Sequence, residues 1–391
     1  MIRNFSAEYI FTVAGEPIKN GVVSVDESGE VINIYQAEDF DGNSEDIEKL
    51  DGIIVPGFVN SHCHLELSYL KGKIPRDTKL IEFVKAVLKS RNADEQVVED
   101  AMRAADKEMY DNGIVAVGDI VNTISSKKIK QESKIYYHTY VEVMAFDPEK
   151  AEEAFEKGLE LKKEFHPLSV SVTPHAPYSV SKELFKLFRN YVADKDNLFS
   201  IHNQETEEEN KLYRYKTGDF LDFYESMNIS SEYFKPQARN SLQSVIPLLP
   251  KDQKFLMVHN TYTSLKDLYF VSRFGRDVSW CFCPNANLYI EGRVPKVLMF
   301  TAHDFKITIG TDSYASNDKL DMLAEMQTLT KNFPSLTLAE LVKWATLNGA
   351  LFLGIDNQFG SIEKGKKPGL NLITDVKGMK LTAQSRVQKL I

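Results

Sequence analysis

Cysteine is scarce in this chain, three among 391 residues, and the odd count leaves no disulfide framework on which a small fold could depend. Cys281 and Cys283 stand too close in sequence to bond each other, and the usage fits a reducing, cytoplasmic setting. Long hydrophobic runs are missing too. No stretch of about 18 apolar residues occurs, and Met1 to Gly15 lacks a charged segment followed by an apolar core, so neither membrane spanning nor export is expected. Basic charge is not in excess: 47 Lys and Arg face 56 Asp and Glu, a formal charge of −9, and no basic run stands out to hold a nucleic-acid backbone. Internal repeats and low-complexity tracts are also lacking. What these absences leave is a soluble globular protein, with a small nitrogenous substrate compatible with the charge.

A hydrophobic content of 43% and an aromatic content of 11% supply a large core, and the length suits one large domain plus a small one. Residues 1 to about 52 alternate short β-rich runs with turns at Asn20-Gly21 and Ser28-Gly29, the grammar of a small antiparallel unit. From Ile53 onward apolar, β-branched strands are separated by helical stretches such as LIEFVKAVLKS and EQVVEDAMRAADKEMYDNG. Eight strand candidates follow: 53–62, 115–120, 135–143, 169–174, 198–202, 255–259, 278–283 and 306–310. The pattern predicts an α/β protein, a (β/α)8 TIM-like barrel over 53–356. The segment FGSIEKGKKPGLNLITDV returns to β grammar, so residues 1–52 and 357–391 are expected to form one composite β-sandwich domain.

Polar residues gather at the carboxyl ends of these strands, where a barrel of this kind carries its chemistry. His62 and His64 close the first, His175 follows the fourth, His202 closes the fifth, His259 the sixth, and Asp312 follows the eighth. Taken alone, each has an ordinary structural role, a hydrogen-bonded histidine or a capping aspartate. Together at one end, five histidines and an aspartate point to a metal site. Neutral imidazoles and a carboxylate suit Zn²⁺ or Fe²⁺ with one position left open for water, whose pKa such an ion lowers from ~15.7 to ~7. Glu205, three residues beyond His202, is a candidate proton carrier, and it also starts the acidic helix ETEEEN, where carboxylates favour the helix dipole.

These motifs, in this order, resemble the metal-dependent amidohydrolase superfamily, in the branch of cytosine, guanine and adenosine-type deaminases and triazine hydrolases. PGFVNSHCH is similar to its first-strand signature, TPHAPYSVS to the segment after strand four, IHNQE to the His-x-x-Glu motif, VHNTY to the sixth-strand histidine and IGTDS to the eighth-strand aspartate. The stretch HLELSYLKG resembles aminodeoxyfutalosine deaminases. The resemblance implies that His62, His64, His202 and Asp312 bind one divalent metal, zinc expected and iron the alternative. No lysine in SVSVTPHAP is available to bridge a second ion. It also implies that Asp312 and Glu205 move protons, that His259 steadies the attacking water or developing charge, and that His175 contacts substrate. Glu66 and Asn287 are further candidate substrate contacts, as are the rings of Tyr69, Tyr178 and Tyr289. Two departures stand out. Ala286 replaces the usual serine of Cys-Pro-x-Ser-Asn, and Pro368-Gly369-Leu370-Asn371 stands where Ala-Asp is common.

The expected activity is hydrolytic removal of an amino group, as ammonia, from a purine-like or other amino-substituted N-heterocycle or nucleoside by a metal-activated hydroxide. Ring opening of a cyclic amide and dechlorination of a triazine are the alternatives on the same site, and a non-enzymatic scaffold is the least favoured. A homodimer is a family-level expectation.

Overall fold

The computed structural model describes residues 2–40 and 42–391. From Phe58 onward strands and helices alternate. The strands are β1 (Phe58–Cys63), β2 (Ile114–Val121), β3 (Tyr136–Val143), β4 (Ser169–Pro174), β5 (Leu198–Asn203), β6 (Lys254–His259), β7 (Asp277–Phe282) and β8 (Lys306–Ile309). They pair in sequence order as two parallel four-stranded sheets, β1 to β4 and β5 to β8. Parallel strands covered on both faces read as unbroken apolar runs, and every residue of β2 (IVAVGDIV) is buried. The intervening helices bury one stripe each. Helix Glu95–Asp111 sinks Met102, Ala105 and Met109, and begins where the Asp94 side chain accepts from the backbone N–H of Gln96 (2.9 Å) and Val97 (3.3 Å).

The ladders stop at the two seams, where side chains and strand tips make the connection. At the β4/β5 seam Thr173 Oγ1 donates to Ser200 O (2.7 Å) and accepts from Ser200 N–H (2.9 Å), and His202 N–H donates to His175 O (2.9 Å). At the β8/β1 seam the Asn60 amide brackets Thr311, accepting from its N–H (3.1 Å) and donating to its Oγ1 (2.8 Å). There the N–H groups of Thr311 and Asp312 both point at His62 O (3.1 Å each). Strands carrying the candidate residues are therefore tied together at the very residues in question.

The remaining strands form one seven-stranded sheet from both ends of the chain. Its path runs Arg386–Lys389, Leu370–Thr374, Ile47–Pro56, Arg3–Ile10, Val22–Val25, Val31–Tyr35, with Ile18–Lys19 also on Arg3–Ile10. Not all of it is antiparallel: Arg3–Ile10 and Ile47–Pro56 run parallel. The apolar run expected as a single first strand is split. Ile53–Pro56 belongs to this sheet, and β1 starts at Phe58. Gly57 is the hinge between them. A Cβ there would stand 2.4 Å from Val115 Cγ1 and 2.6 Å from Pro368 O, so only glycine lets the chain pass. The helical segment 338–353 is divided, into Leu338–Ala345 and Leu347–Leu353, at Thr346, whose Oγ1 donates to Val342 O (2.7 Å).

Downstream of β7 and β8 the chain is fastened by Glu325, buried on helix Met322–Asn332. Its carboxylate accepts from Asn285 N–H (2.9 Å), Asn285 Nδ2 (3.0 Å) and Asn317 Nδ2 (2.7 Å). Burial raises its pKa to about 8, against those hydrogen bonds, which lower it.

Two outcomes are expected. Gly57→Ala should lower unfolding free energy in urea by ~1–3 kcal/mol through overpacking; an unchanged midpoint would contradict the hinge. Because the folded state raises the pKa of Glu325, its contribution is full below pH ~4.5 and is lost as pH climbs toward ~8. The stability of the wild type relative to Glu325→Gln should therefore fall by on the order of 5 kcal/mol over that interval, and a pH-independent difference would refute this.

Candidate active site

Three imidazoles and a carboxylate converge at the carboxyl ends of β1, β5 and β8. His64 Nε2 lies 3.2 Å from His62 Nε2 and 3.2 Å from His202 Nε2. Asp312 Oδ1 is 3.5 Å from His64 Nε2 and 3.8 Å from His62 Nε2. Strand β8 can approach β1 this closely because residue 310 is glycine, whose Cβ would fall 2.8 Å from His62 O. The backbone is forced at the rim: φ is +45° at Gln204, +74° at His259, +58° at Asn260 and +58° at Asp312. Such conformations cost ~1–3 kcal/mol each in residues other than glycine, so the surroundings must impose them. They do so through buried amides and carboxylates. Asn260 Nδ2 donates to Met257 O (2.8 Å) and Cys281 O (3.1 Å), and the Glu209 carboxylate accepts from Gln204 N–H (3.1 Å).

The ring orientations are fixed by what lies behind them. His202 Nδ1–H donates to His175 O (3.1 Å), which leaves Nε2 bare and aimed at the cluster. Burial foremost, then the neighbouring imidazoles, push His62 and His259 well below the ordinary histidine range, and His202 down to about 4. The rings are neutral near pH 7, with lone pairs to offer. Nitrogen atoms 3.2 Å apart match the edge, about 3.3 Å, of a tetrahedron whose ligands stand ~2.0–2.1 Å from its centre. Donor chemistry and spacing both fit a divalent ion such as zinc.

Beside this cluster lies an acid. Glu205 Oε2 is 3.5 Å from His259 Nε2, both side chains buried. Burial, then the charges of Asp312, Glu291 and Glu209, raise its pKa well above the carboxylate range, which favours the protonated form. Asp312 is also raised by burial, but Ser316 Oγ donates to its Oδ2 (2.7 Å) and opposes this. His64, Glu205, His259 and Asp312 all face one cavity of about 500 Å³ that also takes in His175 and Tyr178.

Four expected contacts lie elsewhere. The Glu66 carboxylate accepts from the N–H of Asn122 (3.0 Å) and Thr123 (3.2 Å) and from Thr123 Oγ1 (2.9 Å), so it clasps the loop after β2 and does not line the cavity. Tyr69 and Tyr289 spend their hydroxyls on the carbonyls of Ser90 (3.2 Å) and Ile74 (2.5 Å). Asn287 sits behind His259: Nδ2 donates to Thr261 Oγ1 (2.9 Å) and lies 3.3 Å from His259 Nδ1. With Nδ1 receiving that N–H, the His259 proton is on Nε2, toward Glu205.

The sequence reading passed over Glu142 and the pair Asp119–Lys130. Lys130 Nζ lies 2.6 Å from Asp119 Oδ2 with both side chains fully buried, and Asp119 Oδ1 accepts from Leu65 N–H (2.7 Å), which fixes the chain just after His64. Glu142 is a lone charge at the end of apolar β3, the same signal that singled out the strand-end histidines.

The model of the Amidohydrolase family matches residues 53–388. An adenosine deaminase of Helicobacter pylori is 27% identical over 328 residues, 82% of this chain and 79% of that protein. Among solved structures, H. pylori aminofutalosine deaminase in complex with methylthio-coformycin superposes with a TM-score of 0.80 at 23% identity, covering 97% of this chain and 93% of that one. A Xanthomonas campestris adenosine deaminase with bound zinc gives 0.74 at 22% identity, covering 95% and 84%. A match that begins in the strand leading into β1 and ends in the last strand of the terminal sheet places the protein by its whole architecture: this chain belongs to the amidohydrolase family.

Proposed function

We propose that the protein is a hydrolytic deaminase of a purine-like base or nucleoside, using one divalent ion, zinc in the first instance with iron the alternative. The observation that carries this reading is a buried Glu205, its Oε2 3.5 Å from His259 Nε2 and its pKa raised by burial, beside a cluster of bare imidazole nitrogens. The adenosine deaminase relative and the deaminase structural neighbours support the amino-purine substrate class. The same reading takes 53–356 as a closed (β/α)8 barrel and 1–52 with 357–391 as a β-sandwich. In its support, side-chain hydrogen bonds bridge both seams, and a separate core lies around Phe5, Ile10, Val23 and Leu372.

His62, His64, His202 and Asp312 would hold the ion, which when bound supplies the acidity that lets water attack near neutral pH. Glu205 gives its proton to the ring nitrogen next to the amino-bearing carbon, so that carbon can accept the water oxygen. Asp312 takes a proton from the attacking water and returns it to the amino group. The C–N bond then breaks, ammonia leaves, and the remaining hydroxyl proton restores Glu205 as the carbonyl forms. His259, protonated on Nε2 by its contact with Asn287, donates toward the oxygen while the carbon is tetrahedral.

Ammonia release from aminopurines and their nucleosides by metal-loaded protein tests the reading; an inert panel overturns it. Asp312→Asn should abolish turnover with the fold retained. Glu205→Gln should keep stoichiometric metal while kcat falls by about 10²–10⁴, and normal turnover would remove Glu205 from its role. Asn287→Ala should lower kcat about 10–100-fold without metal loss, whereas a change confined to KM would mean that Asn287 touches substrate instead.

A further inference from the structure

Glu205 follows a sharp reversal of the chain, and a second glutamate holds that reversal in place. Strand β5 ends at Asn203, Gln204 is left-handed at φ +45°, and Glu205 comes next with its Oε2 3.5 Å from His259 Nε2. A left-handed glutamine costs ~1–3 kcal/mol and persists only where its peptide groups are pinned. The peptide between Asn203 and Gln204 is pinned at both ends. Its oxygen accepts from the N–H of Asn260 (3.0 Å), the residue after His259, and its N–H donates to Glu209 Oε1 (3.1 Å). The next carbonyl, Gln204 O, accepts from Tyr262 N–H (2.9 Å). The Gln204 side chain is fixed as well, donating to Asn210 Oδ1 (3.0 Å) and accepting from Thr263 Oγ1 (2.8 Å).

Glu207, Glu208 and Glu209 open helix Glu207–Tyr215, and an acidic first turn is ordinary for a helix dipole. The three do not act alike. Glu207 and Glu208 are partly exposed, and Glu208 accepts from Asp219 N–H (2.9 Å), whereas Glu209 is wholly buried. Thr206 caps the helix, its Oγ1 accepting from Glu208 N–H (3.4 Å). A glutamate three residues beyond such a cap ordinarily turns back to the N–H of the cap itself. Glu209 reaches two residues further, to Gln204, so its carboxylate is committed to the turn that carries Glu205. Burial raises its pKa to about 7 against that hydrogen bond, and in either protonation state one oxygen remains free to accept.

We propose that Glu209 is a positioning residue for Glu205: by accepting the Gln204 N–H it keeps the turn left-handed and the Glu205 carboxyl beside His259. This rests on the role given to Glu205 above. Without Glu209 that N–H is buried with no acceptor, a cost of ~1–3 kcal/mol that rotation of the Asn203–Gln204 peptide would relieve. The rotation would carry Glu205 out of line, and a misplacement of ~1 Å costs on the order of 10²-fold in rate. Glu209 itself does not line the cavity, so substrate affinity and metal content should hold.

The test uses metal-loaded protein and whichever aminopurine or nucleoside of the panel wild type turns over best. Glu209→Ala should lower kcat about 10–100-fold, with KM within about threefold of wild type and metal still stoichiometric. Glu209→Gln keeps an oxygen for the Gln204 N–H and should recover kcat to within about threefold of wild type. The deciding measurement is the double variant. In a Glu205→Gln background Glu209→Ala should cost less than about threefold more, because the group it positions is already disabled. A full further loss in that background means that Glu209 acts elsewhere and overturns the proposal, as does wild-type kcat in Glu209→Ala or an equal loss in the alanine and glutamine variants. Should Glu209→Ala not fold, Glu209→Asp, whose carboxylate falls one methylene short of Gln204, carries the same expectations. If ammonia is released and Glu205→Gln turns over normally, this inference falls while the deaminase reading stands; if no member of the panel releases ammonia, both fall.

Discussion

A cluster of three imidazoles, with His64 Nε2 3.2 Å from both His62 Nε2 and His202 Nε2 and little water around it, forms the constraint on which the rest of this structure depends. Such an arrangement is tolerable only if every ring is neutral and turned so that its proton points away from the centre. Burial supplies neutrality, because charging a ring there would forfeit its hydration. Orientation is supplied from behind, by the carbonyl of His175 for His202 and by the tight seam at Gly310 for His62. The positive φ angles at Gln204, His259, Asn260 and Asp312 are then costs borne at the strand ends, offset by a network of buried amides and carboxylates.

That network explains why several polar side chains are buried without touching the cavity. Asp119 meets Leu65 N–H on one side and Lys130 on the other, so the turn after His64 is held by a charge pair inside the protein. A pair of this kind adds little net stability, since desolvation offsets attraction, but removing one partner would strand the other. Glu66 and Glu325 act in the same manner on the segments after β2 and after β7 and β8. The loops that frame the site are consequently fastened by carboxylates that accept backbone and amide N–H groups.

Much of this was legible in the sequence because it is written in periodicity. Parallel strands buried on both faces leave continuous apolar runs, so seven of the eight expected strands match β2 to β8 to within one or two residues. The first run fails for a reason that periodicity cannot express. Ile53 to Cys63 is apolar throughout, and only the close approach of Val115 and Pro368 to Gly57 divides it between two sheets. Candidate ligands could be found because a histidine that ends an apolar strand is conspicuous. Glu66 reads as a substrate contact because it follows His64, and Asn287 because it ends the Cys-Pro-x-Ser-Asn motif. Direction decides their contacts, and direction depends on partners more than fifty and more than twenty residues away, Asn122 and His259.

A final consideration concerns the balance of donors and acceptors around the cavity. Bare nitrogens of His62, His64 and His202 and the carboxylates of Asp312 and Glu142 are acceptors, whereas His259 Nε2–H and Arg91 are donors facing inward. A buried site so rich in lone pairs is stable only when complementary groups enter it. At the cluster of three imidazoles that complement is a cation, since no hydroxyl could serve three nitrogens at once.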